Sequence, residues 1–243
     1  MKPAPQARTK PQPRPVRTLA IDVGGTGIKA LVLSATGQPL TERARVVTPR
    51  PATPDAVLTT IIEMAKAQGT FDRVSVGFPG VVRRGVTVTA PNLDGQWVGF
   101  TLAETLAKKL GKPVRVANDA DVQGFGAMTG QGVELVITLG TGFGSALFVD
   151  GRLVPNLELA HHPFQKSCTY EDKLRDDVLK KIGKQKWNKR LGKALATLEH
   201  AFNYDHLYIG GGNAKKIIVK LPSNVRIVEN VVGLLGGIAL WRD

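Results

Sequence analysis

Two carboxylates in this chain stand where apolar strand-like runs give way to polar, glycine-containing segments. Asp22 closes the run Leu19-Ala20-Ile21 and leads into Val23-Gly24-Gly25-Thr26-Gly27-Ile28-Lys29. A backbone without side chains lets another group come close, and its N–H groups can line up toward an anion. Asp22 could then hold a hydrated divalent cation, Mg²⁺, beside that anion, and Lys29 could add positive charge. The bland reading is a glycine-rich turn with an unengaged Asp. The second carboxylate, Asp119, follows Val116-Ala117-Asn118 and precedes Ala120-Asp121. A carboxylate there can take a proton from a hydroxyl that attacks a phosphoryl group, or it can simply cap a helix. Two further glycine turns, Gly140-Thr141-Gly142-Phe143-Gly144 and Gly210-Gly211-Gly212, also follow apolar runs.

The elements that must carry these residues follow from periodicity and turn chemistry. The stretch Leu19–Leu33 reads as a hairpin, and Thr41–Thr48 as an added edge strand. Thr53-Pro54-Asp55 opens a helix that runs to about Gln68 and stops at Gly69. Strands are expected at 74–78, 86–89 and 114–117, with a helix from about Thr101 to Leu110. A second strand–glycine turn–strand unit, 134–149, repeats the first, a weak internal duplication implying two related lobes. Beyond it a helix is expected from Tyr170 to about Phe202, then a strand at 207–209 and a C-terminal helix over 232–241. We divide the chain into a disordered, basic, Pro-rich tail (1–17), a small lobe (18–118) and a large lobe (119–229), with 230–243 able to pack back on the small lobe.

The 243 residues can bury a sizeable core, and no apolar run approaches the ~20 residues that span a bilayer. No secretory signal is visible at the N-terminus. The single cysteine, Cys168, excludes an internal disulfide and a cysteine-cluster zinc site, and fits a reducing cytoplasm. Lys and Arg number 33 against 20 Asp and Glu, a net charge of +13 that implies a polyanionic partner. Neither a Walker lysine loop nor a GxGxxG opening a helix is present. The basic run Lys180, Lys181, Lys184, Lys186, Lys189, Arg190 contains no acid, and is expected to lack acidic partners one turn away. A row of ammonium groups can bind a linear polyphosphate by counterion release, although such runs are usually solvated faces. Trp187, within it, is expected to anchor the helix to the body.

Taken in order, Asp22-Val-Gly-Gly-Thr-Gly-Ile-Lys29, Gly77-Phe-Pro-Gly80, Ala117-Asn-Asp-Ala120, Leu139-Gly-Thr-Gly142 and Gly210-Gly-Gly-Asn213 resemble the ROK family of sugar kinases across residues 18–243. Glu158-Leu-Ala-His161, Tyr170-Glu171-Asp172 and the basic stretch resemble its polyphosphate glucokinases most. The resemblance implies an α/β, two-lobed actin/hexokinase-like (ribonuclease H-like) fold with glucose in the interlobe cleft. It implies Asp119 as general base on the sugar 6-hydroxyl, with Gly80, Asn92, Asn118, Glu158, His161 and Glu171 around the sugar. Gly24, Gly25, Thr26, Gly27, Gly140, Thr141, Gly142, Gly211, Gly212 and Lys215 would hold donor phosphates, and Asp22 would hold Mg²⁺ through water. Inorganic polyphosphate is the expected donor, with ATP possible as well. The alternative is an ATP-dependent hexokinase of the same family acting on glucose, mannose or another hexose. Zinc, nucleic acid and membrane are not expected as partners; a homodimer is. The chain departs from the family at Ala160, where Glu-x-Gly-His is usual, and His162 could exchange roles with His161. A sugar-responsive repressor would need a DNA-binding module that a 17-residue tail does not supply.

Overall fold

A computed structural model describes residues 14–228 and 234–242. Most of the tail, residues 1–13, and the first part of the expected C-terminal helix therefore lie outside the described residues. Of the remaining tail residues, Arg17 binds Asp72 through its backbone N–H (2.8 Å) and Thr70 through its guanidinium (3.0 Å), and Arg14 also reaches Asp72.

The first half is a five-stranded sheet in the order β3-β2-β1-β4-β7, formed by β1 (Thr18–Val23), β2 (Ile28–Leu33), β3 (Ala44–Val46), β4 (Arg73–Phe78) and β7 (Val114–Asn118). The hairpin β1–β2 is antiparallel, whereas β4 and β7 continue the sheet parallel to β1. A short hairpin, β5 (Val82–Arg83) and β6 (Val86–Thr87), turns through Arg84 and Gly85, both at positive φ. Helix α1 (Pro54–Ala67) begins as its sequence dictates: Thr53 accepts from the Ala56 N–H, and Pro54 fills a position whose N–H would be unpaired. Val57, Leu58, Ile61 and Met64 of α1 and Leu102 and Leu106 of α2 (Leu102–Leu110) cover the sheet with Trp97 and Phe78.

The second half repeats the arrangement. Its sheet runs β10-β9-β8-β13-β14, with β8 (Val133–Leu139) antiparallel to β9 (Phe143–Val149) and parallel to β13 (His206–Gly210), followed by β14 (Val225–Ile227). The edge strand β10 (Arg152–Val154) corresponds to β3 of the first half. A small hairpin, β11 (Pro163–Gln165) and β12 (Cys168–Thr169), precedes the helices. Helix α3 (Asp119–Ala127) joins the two sheets. This two-lobed α/β architecture is the one the sequence implied.

Two segments differ from expectation. The single helix expected from Tyr170 to Phe202 is three: α4 (Tyr170–Leu174), α5 (Asp176–Ile182) and α6 (Lys184–Phe202). Arg175 takes an extended conformation, and Gly183 sits at φ +80°, which breaks the ladder at both joints. Trp187 then returns to the body: it is fully buried, and its indole N–H donates to the Leu174 carbonyl at 2.9 Å. Near the C-terminus, Leu234 and Leu235 are α-helical, as expected, but Gly236–Trp241 continue as a 3₁₀ segment. A Cβ at Gly236 would lie 1.9 Å from the Val122 carbonyl oxygen, and one at Gly237 would meet Ala20 and Ser75. The glycines thus wedge this segment between α3 and the first sheet, where Leu234 and Ile238 pack on Ala20, Leu31 and Leu33.

Candidate active site

All three glycine turns open into one cavity of about 450 Å³ between the lobes. The β1–β2 turn lines it with Gly24, Gly25, Thr26 and Gly27, and the β8–β9 turn with Gly140, Thr141 and Gly142. Gly211 and Gly212 approach from the end of β13. None of the first seven glycine-turn residues has a positive φ; of the positions named here only Gly211 does, at +88°. Their value is close approach instead. A Cβ on Gly142 would stand 2.6 Å from Glu171 Oε2, and one on Gly24 would stand 3.0 Å from the Gly27 carbonyl oxygen. The first turn is held by Thr48 donating to the Gly24 carbonyl at 2.5 Å and Arg50 donating to the Gly25 carbonyl at 2.8 Å.

The junction of β7 and α3 shows which residue caps the helix. Asn118 Oδ1 accepts from the N–H groups of Ala120 (2.7 Å) and Asp121 (3.4 Å), so Asn118 is the helix cap. Its amide group donates onward to the Gly80 carbonyl and to Glu158, at 3.2 and 3.3 Å. Asp119 is released from capping; Oδ1 takes only the Ala120 N–H, at 2.8 Å, and the side chain lines the cavity. Gly77 packs behind it, where a Cβ would lie 3.4 Å from the Asp119 Cα, at van der Waals contact.

Asp119 is reachable from the cavity yet enclosed by protein, and its proton affinity shows it. Burial pushes its carboxyl up to about 7; the Asp22 carboxylate adds to the shift, as do Glu158 and Asp121, against the Ala120 hydrogen bond. Burial likewise raises Asp121 to about 7 and raises Glu158, the latter opposed by His161 and reinforced by Glu171. An acceptor near 7 is matched to taking a proton at neutral pH.

The shift also has a consequence for stability. The folded-state value of Asp119 lies above the ordinary 3.8, so folding favours its protonated form. That contribution is fully present below about 3.8 and is lost as pH rises through about 7. Asp119→Asn removes the ionisation, so this variant should melt higher than the wild type at pH 8, with the gap closing as pH falls toward 4. Equal midpoints in thermal scans at pH 8 would contradict the buried-carboxylate account.

Asp22 points into the same cavity, with the Lys29 ammonium 2.7 Å from Oδ2. Asn92 lines the cavity beside both turns: a Cβ at Gly25 would lie 3.4 Å from its Cβ, and one at Gly142 3.7 Å from its Nδ2. Glu171 accepts from the Phe143 N–H at 3.0 Å. His161 lines the cavity, while His162 pairs its Nδ1 with the Pro163 carbonyl at 2.9 Å outside it. Ala160 is accommodated without a positive φ in the 3₁₀ turn Leu159–His161, so the missing family glycine does not strain this turn.

Every residue expected around the sugar (Gly80, Asn92, Asn118, Asp119, Glu158, His161, Glu171) therefore lies in one place. Lys215 does not line the cavity; it is exposed on a 3₁₀ turn beyond Asn213. The basic run is also outside the cavity, on α5 and α6, with Lys180, Lys181, Lys184, Lys186 and Lys189 exposed and Arg190 half-buried. Nor is it wholly without acidic partners: Lys180 pairs with Asp176 at 2.5 Å, one turn earlier. Sequence reasoning missed Arg45, Gln123, Asp176 and Asn213 in the lining. For Arg45 the signal lies in the expected edge strand Thr41–Thr48, which pairs with the lysine-bearing strand.

Among the described residues no helix is long and apolar enough to cross a membrane. Nor do three or more His, Cys, Asp and Glu side chains converge to hold a metal ion by themselves.

The ROK family profile matches residues 18–157. Polyphosphate glucokinase from Mycobacterium tuberculosis (strain H37Rv) is 35% identical over 233 residues, covering 89% of this chain and 88% of that one. The crystal structure of inorganic polyphosphate/ATP-glucomannokinase from Arthrobacter sp. strain KM superposes with a TM-score of 0.83 at 33% identity, covering 94% of this chain and 99% of that chain. A ROK family glucokinase from Streptomyces griseus, solved with glucose and AMPPNP, shares the fold at a TM-score of 0.80 and 20% identity, covering 92% and 98%.

Proposed function

The chain belongs to the ROK family, and on that premise we propose that it phosphorylates glucose at the 6-hydroxyl with inorganic polyphosphate as donor. The observation that carries the chemistry is the convergence of Asp119 with three glycine turns in one interlobe cavity. Asp119 takes the proton of the sugar hydroxyl as its oxygen attacks the terminal phosphorus. The bond from that phosphorus to the bridging oxygen breaks, and the chain leaves one phosphate shorter. Asn92, Asn118, Glu158, His161 and Glu171 supply the fixed donors and acceptors that a sugar's hydroxyls require. A buried polar ring of this kind rejects analogues by leaving its own groups unpaired. The backbone of Gly24–Gly27 and Gly140–Gly142, with Gly211 and Gly212, carries the donor phosphates.

The chemistry of the donor set fits Mg²⁺. Asp22 and Asp119 bring mutually repelling charge to the cavity floor, and Lys29 offsets one carboxylate. Asp22 would hold the hydrated ion together with the donor's own phosphates, a usual arrangement for this cation. When bound, the ion neutralises charge developing on the phosphoryl oxygens.

ATP serves as a second donor and mannose as a second acceptor in this reading, supported by the similarity to the inorganic polyphosphate/ATP-glucomannokinase of Arthrobacter. The exposed lysines of α5 and α6 then act only on long chains, as an electrostatic track outside the cavity. The test is a coupled assay for glucose 6-phosphate with long-chain polyphosphate or ATP, run across a salt series. We expect faster transfer from polyphosphate, with KM for it rising steeply with salt. Transfer no faster than from ATP and insensitive to salt would defeat the donor assignment.

A further inference from the structure

The cavity that must accept a polyanion is itself acidic. Asp22, Asp119, Glu158, Glu171 and Asp176 line it, against only Lys29 and Arg45 as permanently charged cations. Lys29 is already paired with Asp22 at 2.7 Å. Among the described residues Arg45 has no ion-pair or hydrogen-bond partner, and it is exposed. It stands on β3 directly opposite Lys29 on β2. Its guanidinium is laid across the first glycine turn: a Cβ at Gly27 would fall 3.0 Å from both Nε and Nη2. A Cβ at Gly27 would press on this guanidinium and make it give by a few tenths of an ångström.

A guanidinium offers a planar fork of donors matched to phosphate oxygens, and such charge-assisted bonds are about twice as strong as neutral ones. We propose that Arg45 grips the phosphoryl donor inside the cavity, bonding a phosphate that rests on the Gly24–Gly27 turn. The inference rests on the phosphotransferase reading and adds to it the residue that holds the donor's near end. Arg45 acts on short and long donors alike, because it contacts the phosphates next to the reacting one. The lysines of α5 and α6, outside the cavity, act only on what extends beyond.

The experiment compares Arg45→Gln, Arg45→Lys and the double variant Lys186→Gln/Lys189→Gln with the wild type. Binding of tripolyphosphate to the free protein is measured by calorimetry at several salt concentrations, and KM is measured for tripolyphosphate, long-chain polyphosphate, ATP and glucose. Arg45→Gln should weaken tripolyphosphate binding roughly tenfold and lower the slope of log K against log salt by about one. KM for every donor should rise similarly, the glucose KM should hold, and Arg45→Lys should recover part of the loss. The double lysine variant should leave tripolyphosphate untouched. Because Arg45 is exposed and unpaired, thermal midpoints should not move. Tripolyphosphate binding by Arg45→Gln equal to wild type, or an equal loss of glucose affinity, would overturn the inference. Failure of the wild type to use any polyphosphate would instead remove the donor reading, and the KM for ATP would then decide the role of Arg45.

Discussion

Replacing Asp119 by Asn should lower kcat by at least ~10²-fold while leaving glucose binding largely intact. The amide keeps the size of the side chain and its acceptor for the Ala120 N–H, so α3 stays in place; what it cannot do is accept the hydroxyl proton. Asn118 rather than Asp119 caps the helix, which is why the loss should fall on the chemical step, with α3 intact and no loss of stability. Glucose affinity should survive because Asn118, Glu158 and the other cavity groups remain. Measuring glucose affinity by calorimetry beside steady-state kcat separates the two. A variant that retains most of its kcat would remove Asp119 from the proton transfer. One that loses glucose affinity in proportion would make it a sugar ligand only.

The second large effect is expected from Gly211→Ala. Gly211 is at φ +88°, where a side chain is strained. Its Cβ would lie 2.3 Å from the Leu139 carbonyl oxygen, 2.6 Å from the Leu139 nitrogen and 2.7 Å from the carbonyl carbon. These are backbone atoms, so no rotamer change relieves the overlap. Either the end of β8 or the turn after β13 must shift, and each carries a glycine turn of the cavity. Strain of this kind costs ~1–3 kcal/mol. At ~2–4 °C per kcal/mol for a chain of this size, the midpoint should fall by several degrees. KM for the phosphoryl donor should rise by about tenfold or more, because the phosphate-holding backbone moves as a unit. Glucose affinity should fall less, since only Glu171, which accepts from the Phe143 N–H, is tied to the β8–β9 turn, while the other sugar groups sit at Gly80, the Asn92 loop, the β7–α3 junction and the Glu158–His161 turn. An unchanged midpoint and donor KM would show that the two turns are not tightly coupled.

Most of the architecture could be read from local chemistry. Thr53-Pro54, Gly69 and the apolar runs before each glycine turn fix their elements with neighbours close in sequence, and the repeated hairpin announced the second lobe. What could not be read depended on distant partners. Gly183 and Arg175 break a helix-forming stretch because Trp187 must reach the Leu174 carbonyl. Gly236 and Gly237 reshape the C-terminal segment because Val122, Ala20 and Ser75 lie against them. The same distinction holds in the cavity. The glycine turns, Asp22 and Asp119 were visible as motifs, whereas Arg45 acquires meaning only once β3 pairs with β2 and lays it over Gly27. The motif also left open whether Asp119 caps α3, a role that falls to Asn118, whose Oδ1 accepts from the Ala120 and Asp121 N–H groups.

The most direct test is the identity of the bond formed. Glucose labelled with ¹³C at carbon 6 is incubated with the wild-type protein, Mg²⁺ and polyphosphate, with ATP rigorously excluded. The product should show phosphorus coupling on the labelled carbon, and Asp119→Asn should form it at least ~10²-fold more slowly. Coupling that appears only with ATP, or phosphate attached at another carbon, would contradict the assignment of this cavity to transfer from polyphosphate to the 6-hydroxyl.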